Sequence, residues 1–155
     1  GYYKKPDATR GAFFGDWFRT GDLFRRDAEG YFYIVGRIKD MIRRNAENIS
    51  AHEVESVLAQ APGVNEVAAL PVPHETRGEE VKIYVLPDQW DAPPDPEALI
   101  AFAATQLAPF KVPRYVEFIQ RFPRTPSGKI AKNVLKAAKA DLREDSWDGE
   151  EKRQR

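Results

Sequence analysis

The octet Pro123-Arg124-Thr125-Pro126-Ser127-Gly128-Lys129-Ile130 constrains the fold more than any other stretch of the chain. Two prolines, a glycine and two hydroxyl residues in succession exclude both a helix and a central strand, so Lys129 must be presented on a turn. Gly128 permits backbone conformations that bring the next side chain close to a ligand. A flexible ammonium in that position suits negative charge on a phosphoryl or carboxylate oxygen. The octet is not a P-loop, because Pro123 stands five residues before Gly128 and Ile130, not Ser or Thr, follows Lys129. Taken alone, a lysine on such a loop reads as a solvated surface charge.

Around this loop the chain reads as short strands and helices. Gly1 to about Arg26 is rich in aromatics broken by glycines, with a turn or helix near Pro6-Asp7-Ala8-Thr9 and strands after it. Asp27-Ala28-Glu29-Gly30 signals a turn, and Tyr31 to Val35 supplies the aromatic and β-branched residues of a strand. Arg37 to Arg44 alternates basic and apolar residues, as a partly exposed strand or hairpin does. Ser50-Ala51-His52-Glu53 has the form of a capping box, with the Ser50 hydroxyl bonding the amide of Glu53 and the Glu53 carboxylate reaching back. The helix it opens carries Val54, Val57, Leu58 and Ala61 on one face, up to a stop at Pro62-Gly63. Strands follow over 64–72 and 80–86, joined by a polar loop around His74-Glu75-Thr76-Arg77-Gly78. Asp95 and Pro96 form the cap and first position of a second helix, with Leu99, Phe102, Ala103 and Leu107 as its apolar stripe. Residues 114–119 alternate as a strand, and a last helix is expected over 133–142. Strands and helices mix without strict βαβ alternation, so the class is α+β, a small mixed sheet flanked by helices.

Composition removes several functions. Lys plus Arg and Asp plus Glu both number 24, so the chain has no basic excess for nucleic acid or an anionic membrane. It has no cysteine, which excludes thiolate metal sites and cysteine nucleophiles, and its only histidines are His52 and His74. No metal site is expected. His52 reads as a packing or capping residue, and His74 with Glu75, Glu79 and Glu80 as a solvated loop. No apolar run approaches the roughly 18 residues of a membrane span, so an integral membrane segment is not expected and the location expected is the cytoplasm. The chain opens on Gly1 and its only methionine is Met41, so either it was processed or it is the back portion of a longer protein, and the motifs that follow favour the second.

Five segments in order carry a resemblance. They are Trp17-Phe18-Arg19-Thr20-Gly21-Asp22-Leu23, Gly36-Arg37-Ile38-Lys39-Asp40, Glu47-Asn48-Ile49 through Glu53-Val54-Glu55, Leu107-Ala108-Pro109-Phe110-Lys111-Val112-Pro113, and the lysine loop. Together they resemble the adenylate-forming (AMP-binding) superfamily, which includes acyl-CoA synthetases, luciferases and peptide-synthetase adenylation domains. The resemblance implies that Lys129 bridges the carboxylate substrate and the α-phosphate of ATP during adenylation. Asp22 would accept hydrogen bonds from the ribose hydroxyls of ATP, with Arg37 as a second ribose or phosphate contact. Lys39 matches the hinge about which the small domain turns. Ala46, Glu47 and Asn48 would line the pantetheine path, and Phe110, Lys111 and Arg114 would contact the CoA nucleotide. ATP and CoA are thus the implied cosubstrates, with Mg accompanying ATP and bound mainly by another domain.

One departure stands out: Asn45-Ala46 replaces the two glycines that many CoA ligases of this type carry before Glu-Asn. A Cβ at each place restricts the backbone and crowds a pantetheine arm. The residues around it look most like carnitine- or fatty-acid-type CoA ligases. Residues 1–35 are expected to be the trailing edge of the large ATP-binding domain, 36–140 the mobile C-terminal domain, and 141–155 a charged, frayed tail. The expected partners are the chain's own large domain and a small carboxylic acid. The alternatives are an enzyme that loads a carrier protein or oxidises its adenylate, and a non-catalytic module that keeps the fold.

Overall fold

The computed structural model describes residues 1–150. Helix α1 (Pro6–Ala12) starts on a proline, and none of its residues is buried. Two-residue strands β1 (Phe13–Phe14) and β2 (Trp17–Phe18) then pair as a minimal hairpin. Strands β3 (Asp22–Arg26) and β4 (Phe32–Arg37) form a separate antiparallel ribbon. The turn between them is held by Asp27, whose Oδ1 accepts from the amides of Glu29 (3.0 Å) and Tyr31 (2.9 Å). Phe14, Trp17, Phe32 and Ile34 all remain exposed.

A single 3-10 turn, Ile38–Asp40, connects this ribbon to the main sheet. Strands β5 (Met41–Arg44) and β6 (Glu47–Ser50) form a tight hairpin, with Asn45 and Ala46 both left-handed at φ 50° and 66°. That is the primed two-residue turn whose twist matches antiparallel strands.

Helix α2 (Ala51–Leu58) follows, and Ser50 caps it by accepting from the Glu53 amide at 3.4 Å. The capping box is only half made. Glu53 does not reach back, because its carboxylate is 2.6 Å from the Lys111 ammonium, a stronger, charge-assisted partner. The Ser50 hydroxyl instead donates to the Val35 carbonyl at 2.7 Å. The helix ends at Leu58, short of Pro62-Gly63, and Ala61 is buried in the turn that follows.

The long hairpin β7 (Val64–His74) and β8 (Gly78–Pro87) is the backbone of the domain. Helix α3 (Pro96–Gln106) starts as expected, with Asp95 accepting from the Glu97 amide at 3.0 Å. It crosses over to β9 (Tyr115–Phe118), which lies parallel to β8. Helix α4 is Lys132–Ala137, shorter than the helix expected over 133–142, and turns replace its second half. The charged tail does not fray as far as Glu150. Strand β10 (Trp147–Asp148) adds to the edge of β9, and Trp147 packs against the core. Residues 151–155 of that expected tail lie outside the described residues.

The sheet runs β10-β9-β8-β5-β6, with β7 on β8, and is mixed as the α+β class requires. Its main core joins Ile42, Ile49, Val54, Leu58, Ile83 and Leu99 on the α2–α3 face. A second cluster, Ala68, Leu70, Tyr84, Phe122 and Leu135, lies on the α4 face and brackets the lysine loop.

Candidate functional site

The lysine loop is a closed hairpin. Arg124 and Ile130 form an antiparallel bridge, and the Thr125 amide donates to the Lys129 carbonyl at 2.8 Å. The Gly128 amide donates to Thr125 O at 2.9 Å, with Gly128 at φ 81°, a conformation glycine adopts without strain. The Thr125 hydroxyl lies 3.0 Å from the Ser127 hydroxyl and accepts from the Lys129 amide at 3.2 Å. Phe122 on one side is buried, and Ile130 on the other packs against the second core cluster. The loop backbone is thereby fixed while the Lys129 side chain stays exposed.

A cleft of about 610 Å³ gathers Asp22, Arg37 and Lys129, with Glu55, Arg124 and Lys132 also in its wall. Asp22 and Arg37 face each other across β3 and β4, and Arg37 Nε lies 2.9 Å from Asp22 Oδ1. The pair offers a two-oxygen acceptor beside a planar donor, which suits a diol next to a phosphate. Lys39 sits exposed in the connecting 3-10 turn and shares a neighbouring cleft of about 560 Å³ with Lys129, Lys132 and Lys136.

The residues implied for CoA are dispersed. Ala46 lines a cleft of about 510 Å³ with Arg43, Thr76 and Arg77, while Glu47 and Asn48 are exposed on β6. Phe110 packs against the main core and Lys111 is held by Glu53. Arg114 makes a two-pronged contact with Asp148 (2.9 and 2.8 Å) and lies 2.8 Å from Glu150. The hydrogen bonds to Asp148 hold its pKa well above the ordinary guanidinium value. Phe110 and Lys111 lie together, with the Lys111 ammonium 5.6 Å from the Phe110 ring centroid, while Arg114 is engaged by Asp148 and Glu150.

The expected solvated loop is also tied down. Glu80 is fully buried, 3.0 Å from Arg44 and 2.7 Å from Arg77, and Arg77 continues to Glu150 at 2.5 Å. The Arg43 amide donates to Glu79 at 2.7 Å. A second buried network lies on the α4 face, where the fully buried Lys82 ammonium bonds Glu117 at 2.5 Å and the Leu142 carbonyl. Burial pushes the Lys82 pKa down, and burial followed by the Glu117 charge pushes Tyr84 up to about 12. No local sequence pattern marks either network, because apart from Arg77 and Glu80 the partners named are far apart in the chain. Among the described residues no three His, Asp or Glu side chains come together as a metal site, and no helix is long and apolar enough to cross a membrane.

Lys129 on its closed loop thus shares one cleft with the Asp22–Arg37 pair of a separate ribbon. Residues 53–129 match the AMP-binding enzyme C-terminal domain, and the chain belongs to that family. It is 44% identical over 135 residues to a long-chain-fatty-acid–CoA ligase of Mycobacterium tuberculosis, covering 87% of this chain and 26% of that protein. It is 47% identical over 136 residues to the sulfoacetate–CoA ligase of Cupriavidus necator, covering 87% and 26% respectively. Among solved structures, it superposes on o-succinylbenzoate CoA synthetase from Bacillus subtilis, in complex with its acyl-adenylate intermediate, with a TM-score of 0.81. That match has 31% identity and covers 90% of this chain and 28% of that one. The chain thus spans about a quarter of the length of the relatives it matches.

Proposed function

We propose that the chain is the C-terminal part of an ATP-dependent acyl-CoA ligase, supplying the adenylation lysine and the hinge. The cleft shared by Asp22, Arg37 and Lys129 carries this reading. Residues 1–35 are the trailing edge of the large domain and 36–140 the mobile domain. The exposed Phe14, Trp17, Phe32 and Ile34 supply a face for the rest of the large domain to cover. Asp22 and Arg37 hold the ATP ribose. Lys129 orients the substrate carboxylate for attack on the α-phosphorus and offsets the charge that develops there, while pyrophosphate leaves. Mg travels with the ATP phosphates and is held by the rest of the enzyme.

Rotation about Lys39 then withdraws Lys129 and brings Ala46, Glu47 and Asn48 to the acyl-adenylate for thioester formation. A second reading has a carrier protein as the acceptor, whose pantetheine arm would meet the Ala46 cleft as that of CoA would. AMP release from the complete enzyme that requires free CoA excludes that second reading. The acyl substrate is a carboxylic acid whose pocket belongs to the large domain. Retention of Asp22, Arg37, Lys39 and Lys129 together argues against a non-catalytic module.

The test is Lys129→Ala in the complete enzyme. Adenylation, followed by pyrophosphate exchange, should fall on the order of a hundredfold or more. Thioester formation from pre-made acyl-adenylate should stay near the unmodified rate. Equal loss in both half-reactions contradicts the role assigned to Lys129.

A further inference from the structure

Glu55 sits on α2, away from the lysine loop in sequence, yet its carboxylate joins three elements. Oε1 accepts from the Ala69 amide at 2.7 Å and lies 2.6 Å from the Lys132 ammonium. Ala69 is on β7, which among the described residues pairs only with β8, so its other edge has no strand partner there. Ala69 is 1% exposed, and a backbone amide so placed needs an acceptor. A neutral side chain would satisfy that amide as well. The charge is what grips Lys132, the first residue of α4 and the third residue after Lys129.

The opposite flank of the loop has a tether of its own, the ion pair of Arg124 with Glu66 on β7. The two tethers differ in strength. The Glu55 and Lys132 side chains are 19% and 21% exposed, against 30% and 42% for Glu66 and Arg124. Exposed ion pairs hold little, whereas a half-buried one that also bonds a backbone amide holds firmly.

We propose that Glu55 is a positioning residue for Lys129. By tying the start of α4 to α2 and the edge of β7, it sets the end of the loop from which Lys129 reaches the Asp22–Arg37 cleft. This rests on the reading that Lys129 serves adenylation. A displacement of about an ångström at such a group is enough to slow the step it serves by tenfold to a hundredfold.

The decisive variant is Glu55→Gln in the complete enzyme, which keeps an acceptor for Ala69 and removes the charge that holds Lys132. The adenylation kcat should fall on the order of tenfold, with the KM for ATP little changed. Thioester formation from pre-made adenylate should be unaffected. Lys132→Met should lower adenylation by a similar factor, and the double variant should be no slower than the slower single one. Tryptic cleavage after Lys129, followed by mass spectrometry, should be faster in Glu55→Gln, which reports loop position without using activity. A Glu55→Gln enzyme that adenylates and resists trypsin like the unmodified protein, while Lys129→Ala is inactive, overturns the proposal. Equal loss in both half-reactions overturns it too, because that is the mark of a merely structural residue. An active Lys129→Ala removes the adenylation reading and this proposal with it.

Discussion

Adding one methyl group at Gly36 should loosen the tie between the β3–β4 ribbon and the main domain. A Cβ built there lies 2.6 Å from the Ser50 hydroxyl oxygen. Ser50 is 3% exposed and has no room to turn freely, and its hydroxyl donates to Val35 O at 2.7 Å while capping α2. To admit the methyl, that oxygen must retreat by roughly an ångström. Losing the cap costs about 1 kcal/mol. Leaving the Val35 carbonyl unpaired costs about 1–3 kcal/mol more, so Gly36→Ala should destabilise by about 2–4 kcal/mol. Urea unfolding followed by circular dichroism reads this as a lower midpoint at unchanged slope. The double variant Gly36→Ala/Ser50→Ala isolates the cause, because the Ser50 Cβ is 3.6 Å from the new methyl, an ordinary contact. It should lie below Ser50→Ala alone only by the strain of an alanine at the φ of 156° that Gly36 adopts, a smaller step than Gly36→Ala makes in the unmodified protein. If Gly36→Ala shifts stability by under about 0.5 kcal/mol, or costs as much in the Ser50→Ala background as in the unmodified protein, the reasoning fails.

Two further outcomes are expected. Ala46→Gly relieves a left-handed alanine worth about 1–2 kcal/mol but adds backbone freedom to the unfolded chain, for a net gain of about 0.5 kcal/mol in the same unfolding assay. A loss would mean that the Asn45–Ala46 turn is not the primed type. Tyr84, pushed up to about 12 from 10.0, is favoured neutral in the fold. Its contribution is complete below pH 10 and is lost as the pH rises through 12, so stability should fall across that window and Tyr84→Phe should flatten the fall. Lys82 acts in the opposite sense, since burial lowers its pKa from 10.5. The comparison with Tyr84→Phe, and tyrosinate absorbance beside it, separates the two; an unchanged profile in the variant contradicts the assignment.

What the sequence made legible is what short-range chemistry decides. Two prolines and Gly128 specify a turn whatever surrounds them, and Asp95-Pro96 starts a helix through bonds made within one turn. The β7 and β8 strands are plain because β-branched residues pack on both faces of a covered hairpin. Long-range competition decided the rest. Glu53 has the right spacing to reach back to its own helix start, but Lys111, 58 residues away, takes its carboxylate. Glu80 has the composition of a wet loop and becomes a buried anion because Arg44 and Arg77 converge on it. Asp148 and Glu150 look like a disordered tail until Arg114 meets them. Glu55 closes one of the resembling segments, but its contacts were not legible there, since its partners Ala69 and Lys132 are joined only by the fold.

The exposed Phe14, Trp17, Phe32 and Ile34 also bear on the life of the chain in a cell. Quality control reads uncovered aromatic surface as unfinished folding. A copy standing without a cover over this face would be held by chaperones or handed to proteases, however sound its main sheet. Abundance would then follow the speed with which the face is covered more closely than the stability of the domain that carries Lys129.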